Sequence, residues 1–173
     1  MKLAAFDLDN TLLAGDSDYL WGQFLVANDV VDAVNFEAEN RRFYEQYEAG
    51  TLDIHEYARF ALGLMGRIEP KKLSELRQRF VNDVIEPIVA PGAKQLIAEH
   101  RRDGAELLII TATNTFVTEP IAALLDVPVL IGTEPMYSNG RMTGEISGTP
   151  CFQAGKVKKP VSYTHLTLPT SEL

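Results

Sequence analysis

Three short runs of apolar residues dominate the hydrophobic pattern of the chain. They cover residues 2–8, 105–111 and 127–132, and each is bounded by turn residues. Runs of this length between turn residues predict strands that are buried on both faces. Because segments with helical periodicity lie between the runs, the pattern predicts an α/β fold built on a parallel, Rossmann-like sheet.

Further elements are predicted around the second and third strands. Helical patterns cover residues 91–103 and 115–125, and Gly104, directly after the first of them, is typical of a helix C-terminus. Residues 136–146 contain an Asn-Gly pair between short alternating segments, which predicts a β-hairpin. Residues 155–159 have the sequence of an opening helix.

An inserted helical domain is predicted between the first two strands. Almost a hundred residues separate these strands, which is far more than one crossover helix needs. Helices fit residues 18–28, 31–48 and 70–85, and the clearest helical period runs through residues 54–65. The predicted division is a core of residues 1–14 and 87–159 and a helical cap of residues 15–86.

The predicted cap is rich in aromatic residues. We interpret them as the hydrophobic core of the cap rather than as a cage for a ligand, because large aromatic side chains most often fill cores. They are Trp21, Phe24, Phe43, Tyr44, Tyr47 and Phe60.

Composition and charge narrow the class of protein. The 173 residues are 46% hydrophobic and 23% charged, as in ordinary globular proteins. No apolar run is long enough to span a bilayer, and the single cysteine, Cys151, fits a reducing compartment, so we expect a cytoplasmic protein. A net charge of −8 argues against nucleic acid or a membrane surface as the main partner. A small phosphorylated molecule is compatible if a metal ion and a lysine offset the local charge. Oligomeric state is left open.

Two acidic residues, Asp7 and Asp9, stand where the first predicted strand ends, in the stretch AFDLDNT. The carboxyl ends of parallel strands are where such sheets bind ligands, and a turn after the strand lets both acids face one pocket. One carboxylate can attack phosphorus while the other protonates the leaving oxygen and then activates water. Because two anions repel a phosphate, this chemistry needs a hard cation such as Mg²⁺. On spacing alone, a purely structural role as turn or helix caps is equally good.

Two other features favour phosphate chemistry. Thr111 ends the second predicted strand, where its hydroxyl and the N–H groups of Ala112 and Thr113 could hold phosphate oxygens at a helix N-terminus. Lys156 could neutralise charge on the same group. Taken singly, the threonine is more often a strand-end cap, and the lysine belongs to a lysine-rich run that is usually a solvated face.

In combination these residues resemble the haloacid dehalogenase superfamily, whose phosphatases carry DxDxT, a later Ser or Thr, and a later Lys. FDLDNTLLAGDSD, IITATNTFVTEPIAALLDVP and GRMTGEISGTPCFQAGKVK look like its phosphoserine-phosphatase-like branch. The resemblance covers residues 1 to about 159. It implies that Asp7 is the nucleophile and a magnesium ligand, and that Asp9 is the general acid/base and a ligand through its carbonyl. It also implies that Thr111 and Lys156 bind phosphate.

The resemblance implies a small phosphate monoester as substrate and leaves its identity open, although a monoester with an amine and no carboxylate fits. In phosphoserine phosphatases an acid nine residues after the nucleophile contacts the substrate amine, and Asp16 stands there. The arginine that grips the substrate carboxylate would align with Ala61, while Arg59 would point elsewhere on a helix. Phosphoserine is therefore disfavoured, and the resemblance extends to histidinol-phosphatases. Asp16 fits equally well as the N-cap of the first cap helix.

The fourth motif of the family, an acidic pair after another strand, has no counterpart after Lys159. The stretch VSYTHLTLPT looks like a translated sequencing adapter, so residues 160–173 are expected to be a non-native tail. A chain without the fourth motif is expected to bind Mg²⁺ weakly, to be less stable and to be an impaired enzyme.

Two other classes of function remain as alternatives. A receiver-like module also combines acids, Thr and Lys around a phosphoaspartate, but it carries the acid on the third strand, where this chain has Ile131-Gly132-Thr133. A non-catalytic phosphate-binding fragment is the other alternative. The three histidines share no metal-ligand spacing and are interpreted as surface or interface residues.

Overall fold

A computed structural model describes residues 2–152 and Gly155 of the chain. Lys156, the rest of the helix predicted over residues 155–159, and the tail predicted over residues 160–173 lie outside the described residues.

The central feature is a parallel three-stranded sheet in the order β1-β2-β3, which confirms the predicted α/β fold. A separate antiparallel hairpin, β4-β5, turns through residues with positive φ, as a two-residue hairpin loop requires. The strands are β1 (Lys2–Asp7), β2 (Ala105–Asn114), β3 (Val129–Thr133), β4 (Pro135–Ser138) and β5 (Arg141–Ile146).

Six α-helices connect these strands, four of them in the predicted insertion. The helices are α1 (Ser17–Ala27), α2 (Ala33–Glu48), α3 (Ile54–Arg67), α4 (Pro70–Phe80), α5 (Ala93–Arg102) and α6 (Thr115–Leu124). The helix predicted over residues 70–85 is divided, because α4 gives way to a wide turn at Val81–Ile85 and then to a 3-10 turn at Glu86–Ile88.

Side-chain caps fix where most of these helices begin. At each such start a carboxylate or amide oxygen accepts a hydrogen bond from an N–H group in the first turn. A cap of this kind stabilises a helix by about 1 kcal/mol. The capping residues are Asp16, Asp32, Asp53, Glu69 and Asn114.

The main hydrophobic core lies on one face of the sheet and continues between the helices of the insertion. Phe6 and Ile109 contribute from the strands, and Trp21 and Phe80 contribute from α1 and α4. A smaller cluster of Leu108, Ile131 and Cys151 lies on a separate patch. The division into core and cap by residue number stays a prediction, since one continuous cluster joins both.

The hairpin packs against α3, the helix with the clearest predicted period. Gly63 and Gly144 let the two backbones approach closely, and a methyl group on Gly66 would overlap the carbonyl oxygen of Met142. Glycine at position 66 is therefore required by packing rather than by its φ angle. This contact matters for the site, because α3 forms one wall of it.

None of the helices in residues 2–152 combines the length and the apolar character that crossing a lipid bilayer requires.

Candidate active site

A cleft of about 930 Å³, continuous with solvent, lies between the carboxyl ends of β1 and β2 and the helices α1, α2 and α3. Four carboxylates line it together with several hydroxyl and aromatic side chains. The acids are Asp7, Asp9, Asp16 and Asp18, the threonines are Thr111, Thr113 and Thr133, and the aromatic residues are Tyr19, Phe43, Tyr44, Tyr47, Tyr57 and Phe152.

A sharp turn after β1 brings the two acids of the first motif to this cleft. Asn10 has a φ of 56°, and its N–H donates to the Gly15 carbonyl at 3.0 Å. Asparagine tolerates this left-handed conformation better than most residues. The turn therefore places Asp7 and Asp9 on the same cleft, as predicted for the stretch AFDLDNT.

Asp9 is held by three hydrogen bonds from two distant parts of the chain. The Ser17 N–H donates to its Oδ1 at 2.7 Å, and the hydroxyls of Thr111 and Thr113 donate to its Oδ2 at 3.2 and 3.0 Å. Hydrogen bonds to an ionised acceptor are roughly twice as strong as neutral ones. Asp9 thus connects the turn after β1 to the end of β2 and to the start of α1.

The surroundings of Thr111 differ from the prediction. The strand was expected to end at Thr111, with the N–H groups of Ala112 and Thr113 at a helix N-terminus and a helix over residues 115–125. The helix α6 does begin at Thr115, but β2 continues to Asn114, which still pairs with Thr133 of β3. The Thr113 N–H donates to the Thr111 hydroxyl at 3.1 Å, and the Ala112 carbonyl accepts from the Thr133 hydroxyl at 2.7 Å. Ala112 and Thr113 thus belong to the strand, and the expected helix N-terminus at these two residues is wrong. Phosphate binding by Thr111 and Ala112 stays a prediction.

Asp16 caps α1 and lines the cleft at the same time. Its Oδ1 accepts from the N–H groups of Asp18 and Tyr19 at 3.0 and 2.9 Å. Burial raises the pKa of Asp16 above its ordinary value, and the charge of Asp9 raises it further. The capping role is therefore confirmed, and contact with a substrate amine stays a prediction.

Asp18 is a site residue that the sequence reasoning missed. Its half-buried carboxylate accepts the Tyr57 hydroxyl at 2.7 Å and, at the longer distance of 3.4 Å, the Asn114 amide. Burial, and next the charge of Asp16, raise the pKa of Asp18 to about 7. Burial and the Asp18 charge raise the pKa of Tyr57 well above its usual value, so its hydroxyl keeps its proton. An acid in the first turn of a helix is common because it stabilises the positive end of the helix dipole, so nothing in the sequence indicated that Asp18 belongs to the site.

The aromatic residues of the insertion divide between core and cleft. Trp21 and Phe24 are buried in the core, as predicted. Tyr44 and Tyr47 are exposed on the cleft, so the interpretation of all six as core is wrong for these two. Tyr44 lies against Tyr19 with ring centroids 5.1 Å apart, which forms an aromatic wall.

Among the described lining residues of the cleft, none carries a positive charge. Ala61 faces the cleft at the position where the resemblance places an arginine, and Arg59 on the same helix is exposed outside it. His55 is exposed, and His100 packs edge-on against Phe6.

Within residues 2–152, no three His, Cys, Asp or Glu side chains are grouped as a metal site. The candidate ligands at the first motif are nevertheless all oxygen atoms, namely the Asp7 carboxylate and the backbone carbonyl of Asp9. Mg²⁺ is commonly bound by one or two carboxylates together with water and the phosphate of a substrate. The donor set therefore fits Mg²⁺ in type.

The chain is similar to proteins of known family. The model of the haloacid dehalogenase-like hydrolases matches residues 4–166. A histidinol-phosphatase of Neisseria meningitidis serogroup C (strain 8013) is 39% identical over 159 residues, which make up 91% of this chain and 72% of that protein. The chain spans about half the length of several other curated relatives.

Two solved structures are similar to this chain in fold. A protein of unknown function from Bordetella pertussis Tohama I superposes with a TM-score of 0.89 at 38% identity, covering 99% of this chain and 78% of that chain. A phosphoserine phosphatase solved as a phospho-aspartyl intermediate analogue has a TM-score of 0.68 at 17% identity, covering 95% and 71% of the two chains. At 17% identity, the similarity to the phosphoserine phosphatase shows only that the two chains share a fold.

Proposed function

Because this chain belongs to the haloacid dehalogenase-like hydrolases, we propose that it is a Mg²⁺-dependent phosphatase that cleaves a small phosphate monoester through an aspartyl-phosphate intermediate. Two of its relatives are named for the hydrolysis of phosphate monoesters, a histidinol-phosphatase and a phosphoserine phosphatase. The observation that carries the proposal is the hydrogen-bonded Asp9, which joins Asp7, Thr111 and the start of α1 around one cleft.

In the proposed reaction the Asp7 carboxylate attacks phosphorus and the ester P–O bond breaks. Asp9 gives its proton to the departing alkoxide, which leaves as an alcohol. Asp9 then takes a proton from water, whose oxygen attacks phosphorus and releases phosphate while the Asp7 carboxylate re-forms. Thr111 and Thr113 support this role, because a hydroxyl can either donate to a charged Asp9 or accept from a protonated one.

Mg²⁺ bound by the Asp7 carboxylate and the Asp9 carbonyl would offset the repulsion between two acids and a phosphate. Thr111, Ala112 and Lys156 are proposed to hold the phosphate oxygens, with Lys156 outside the described residues. The third-strand end, Ile131-Gly132-Thr133, offers no acid for a receiver-like phosphorylation site, which favours the hydrolase.

The proposed substrate carries an amine and no carboxylate. Asp16 and Asp18 give the cleft negative charge, and Ala61 leaves the wall of α3 without a group to pair with a carboxylate. The meningococcal relative is named a histidinol-phosphatase, and histidinol phosphate is such a substrate. Histidinol phosphate is therefore the first compound to test, with phosphoserine as the comparison.

An Asp7→Asn variant of the 173-residue chain tests the proposal. We expect the chain to release phosphate from histidinol phosphate and p-nitrophenyl phosphate with Mg²⁺, and we expect the variant to lose about a thousandfold or more in kcat, because the nucleophile is gone. Phosphate release is followed by a colorimetric assay.

Asp83→Asn is the matched control, because Asp83 is an exposed acid outside the cleft. It should keep the parent rate. Equal turnover by the parent and the Asp7 variant, or no turnover by the parent with Mg²⁺, contradicts the proposed function.

A further inference from the structure

We propose that Asp18 and Asn40, on the neighbouring helices α1 and α2, select substrates whose leaving group carries an ammonium-type cation. This inference rests on the proposed function, because it concerns the part of the same cleft that would hold the leaving group. We call this part, lined by Asp16, Asp18 and Asn40, the leaving-group end. The two residues would be specificity-determining and would take no part in the bond-breaking steps.

The Asp18 carboxylate retains capacity to bind a ligand. A carboxylate offers about four lone-pair sites, whereas Asp18 accepts one short bond from Tyr57 and one long bond from Asn114. The Tyr57 bond fixes the direction of the carboxylate, so little freedom is left to lose on binding. A fixed, partly desolvated carboxylate is a strong partner for a cation.

Asn40 provides the second, independent indication of a ligand. Its side chain lines the cleft, yet the residue is only 7% exposed. Among the described residues, no hydrogen-bond partner of its amide is found. Because its amide reaches the cleft, water is its partner there when no ligand is bound, and a ligand that offers a hydrogen-bond donor can replace that water.

Asp18 and Asn40 line the same cleft. Together with Tyr57 they also line a small depression beside it. The Asn40 amide nitrogen faces Gly22, where a methyl group would approach it to 3.0 Å. The amide oxygen is then the end that remains for a ligand.

The balance of donors and acceptors defines the chemistry of that ligand. The leaving-group end offers oxygen acceptors from Asp16, Asp18 and Asn40, while the Tyr57 hydroxyl proton is already donated to Asp18. No described lining residue is positively charged, so none of the described residues would form an ion pair with a carboxylate on the substrate. A protonated amine supplies several donors and a positive charge, and the tyrosine rings nearby favour a cation as well.

Asp16 can share this task only through its Oδ2. Its Oδ1 accepts two backbone N–H groups of α1, so Asp16 cannot turn towards a ligand without losing the helix cap. Asp18 has no such role, since its partners are side chains on other elements. The competing explanation for Asp18 is purely structural, namely that its bond to Tyr57 fastens α1 to α3.

Binding measurements separate these two explanations without depending on turnover. In the parent chain at pH 8, calorimetry with Mg²⁺ compares 3-aminopropylphosphonate with butylphosphonate, which lacks the amine. The C–P bond of both compounds resists hydrolysis, so binding is measured without turnover. We expect the amine to improve affinity by about tenfold or more, as a hydrogen bond to a charged group does. Asp18→Asn should remove most of this preference, and Asn40→Leu should reduce it severalfold.

Asp83→Asn is the matched control and should keep the preference. If Asp18→Asn does not melt cooperatively, Asn40→Leu alone decides, since it leaves the Asp18–Tyr57 bond intact. The inference is overturned if the parent chain shows no preference for the amine, or if a folded Asp18 or Asn40 variant keeps it. Failure of the proposed function is seen separately, as absence of Asp7-dependent phosphate release.

Discussion

At the scale of single residues, the cleft is organised by carboxylates with different partners. Asp9 is hydrogen-bonded on both oxygens, by the Ser17 N–H and by two threonine hydroxyls. Asp18 is held by Tyr57 and lies close to the charge of Asp16, and its pKa is raised to about 7. Environment, rather than residue type, therefore separates the roles that we propose for these acids.

The raised pKa of Asp18 predicts a pH dependence of stability. The folded pKa of about 7 lies above the ordinary value of 3.8, so the stabilising contribution is complete below about pH 4 and is lost as the pH rises towards 7. We expect Asp18→Asn to reduce the loss of unfolding free energy between pH 5 and pH 8 by about 1 kcal/mol or more.

Urea unfolding of the parent and of Asp18→Asn at the two pH values measures this difference. Asp9, Asp16, Tyr57 and Asn114 face position 18 in both proteins, so the comparison measures the loss of the Asp18 carboxylate together with its effect on these neighbours. Identical pH profiles for the two proteins would show that Asp18 does not titrate in this range.

At the scale of elements, α3 links the hairpin to the cleft. One side of the helix carries Tyr57 and Ala61 into the cleft, and its C-terminal part packs on β5 through Gly66. The hairpin thereby supports a wall of the site without contributing catalytic side chains.

Two glycines of α3 give opposite predictions for the same substitution. Gly66→Ala places a methyl group against the Met142 carbonyl, and we expect it to destabilise the fold by about 1–3 kcal/mol. Gly63→Ala meets only the Gly144 Cα at 3.9 Å, an ordinary contact, and it should be neutral or stabilising by up to about 1 kcal/mol through helix propensity. Thermal unfolding of both variants measures the contrast, and equal effects would rule out this packing.

At the scale of the whole molecule, ligands that bind only the folded state should raise its stability. The net charge of −8 and the four acids of the cleft disfavour a bound phosphate unless a cation accompanies it.

We therefore expect Mg²⁺ and orthophosphate together to raise the melting temperature more than the sum of their separate effects. Asp7→Asn should remove most of this synergy, and Asp83→Asn should retain it. Differential scanning fluorimetry with each compound alone and with both makes the test, and the same synergy in Asp7→Asn would place the binding elsewhere.

The sequence predicted the strands and most of the helices well, because their signals are local. Apolar runs and caps identify elements such as β1 and α3 within a few residues. The extension of β2 beyond Thr111 was not predictable, since it depends on the pairing of Asn114 with Thr133 of β3. The prediction that the aromatic residues fill the core was wrong at Tyr44 for a similar reason. Tyr44 and Trp21 have similar sequence surroundings and differ in which residues pack over them.

By itself the sequence determined the family, the α/β architecture and the acids of the first motif, because these follow from local pattern and motif spacing. Only the tertiary structure decided which polar groups meet in the cleft. Asp18 and Tyr57 are far apart along the chain, and their meeting requires α1 and α3 to pack together. Burial then changes what a carboxylate does, since desolvation and neighbouring charge depend on distances that no sequence pattern contains.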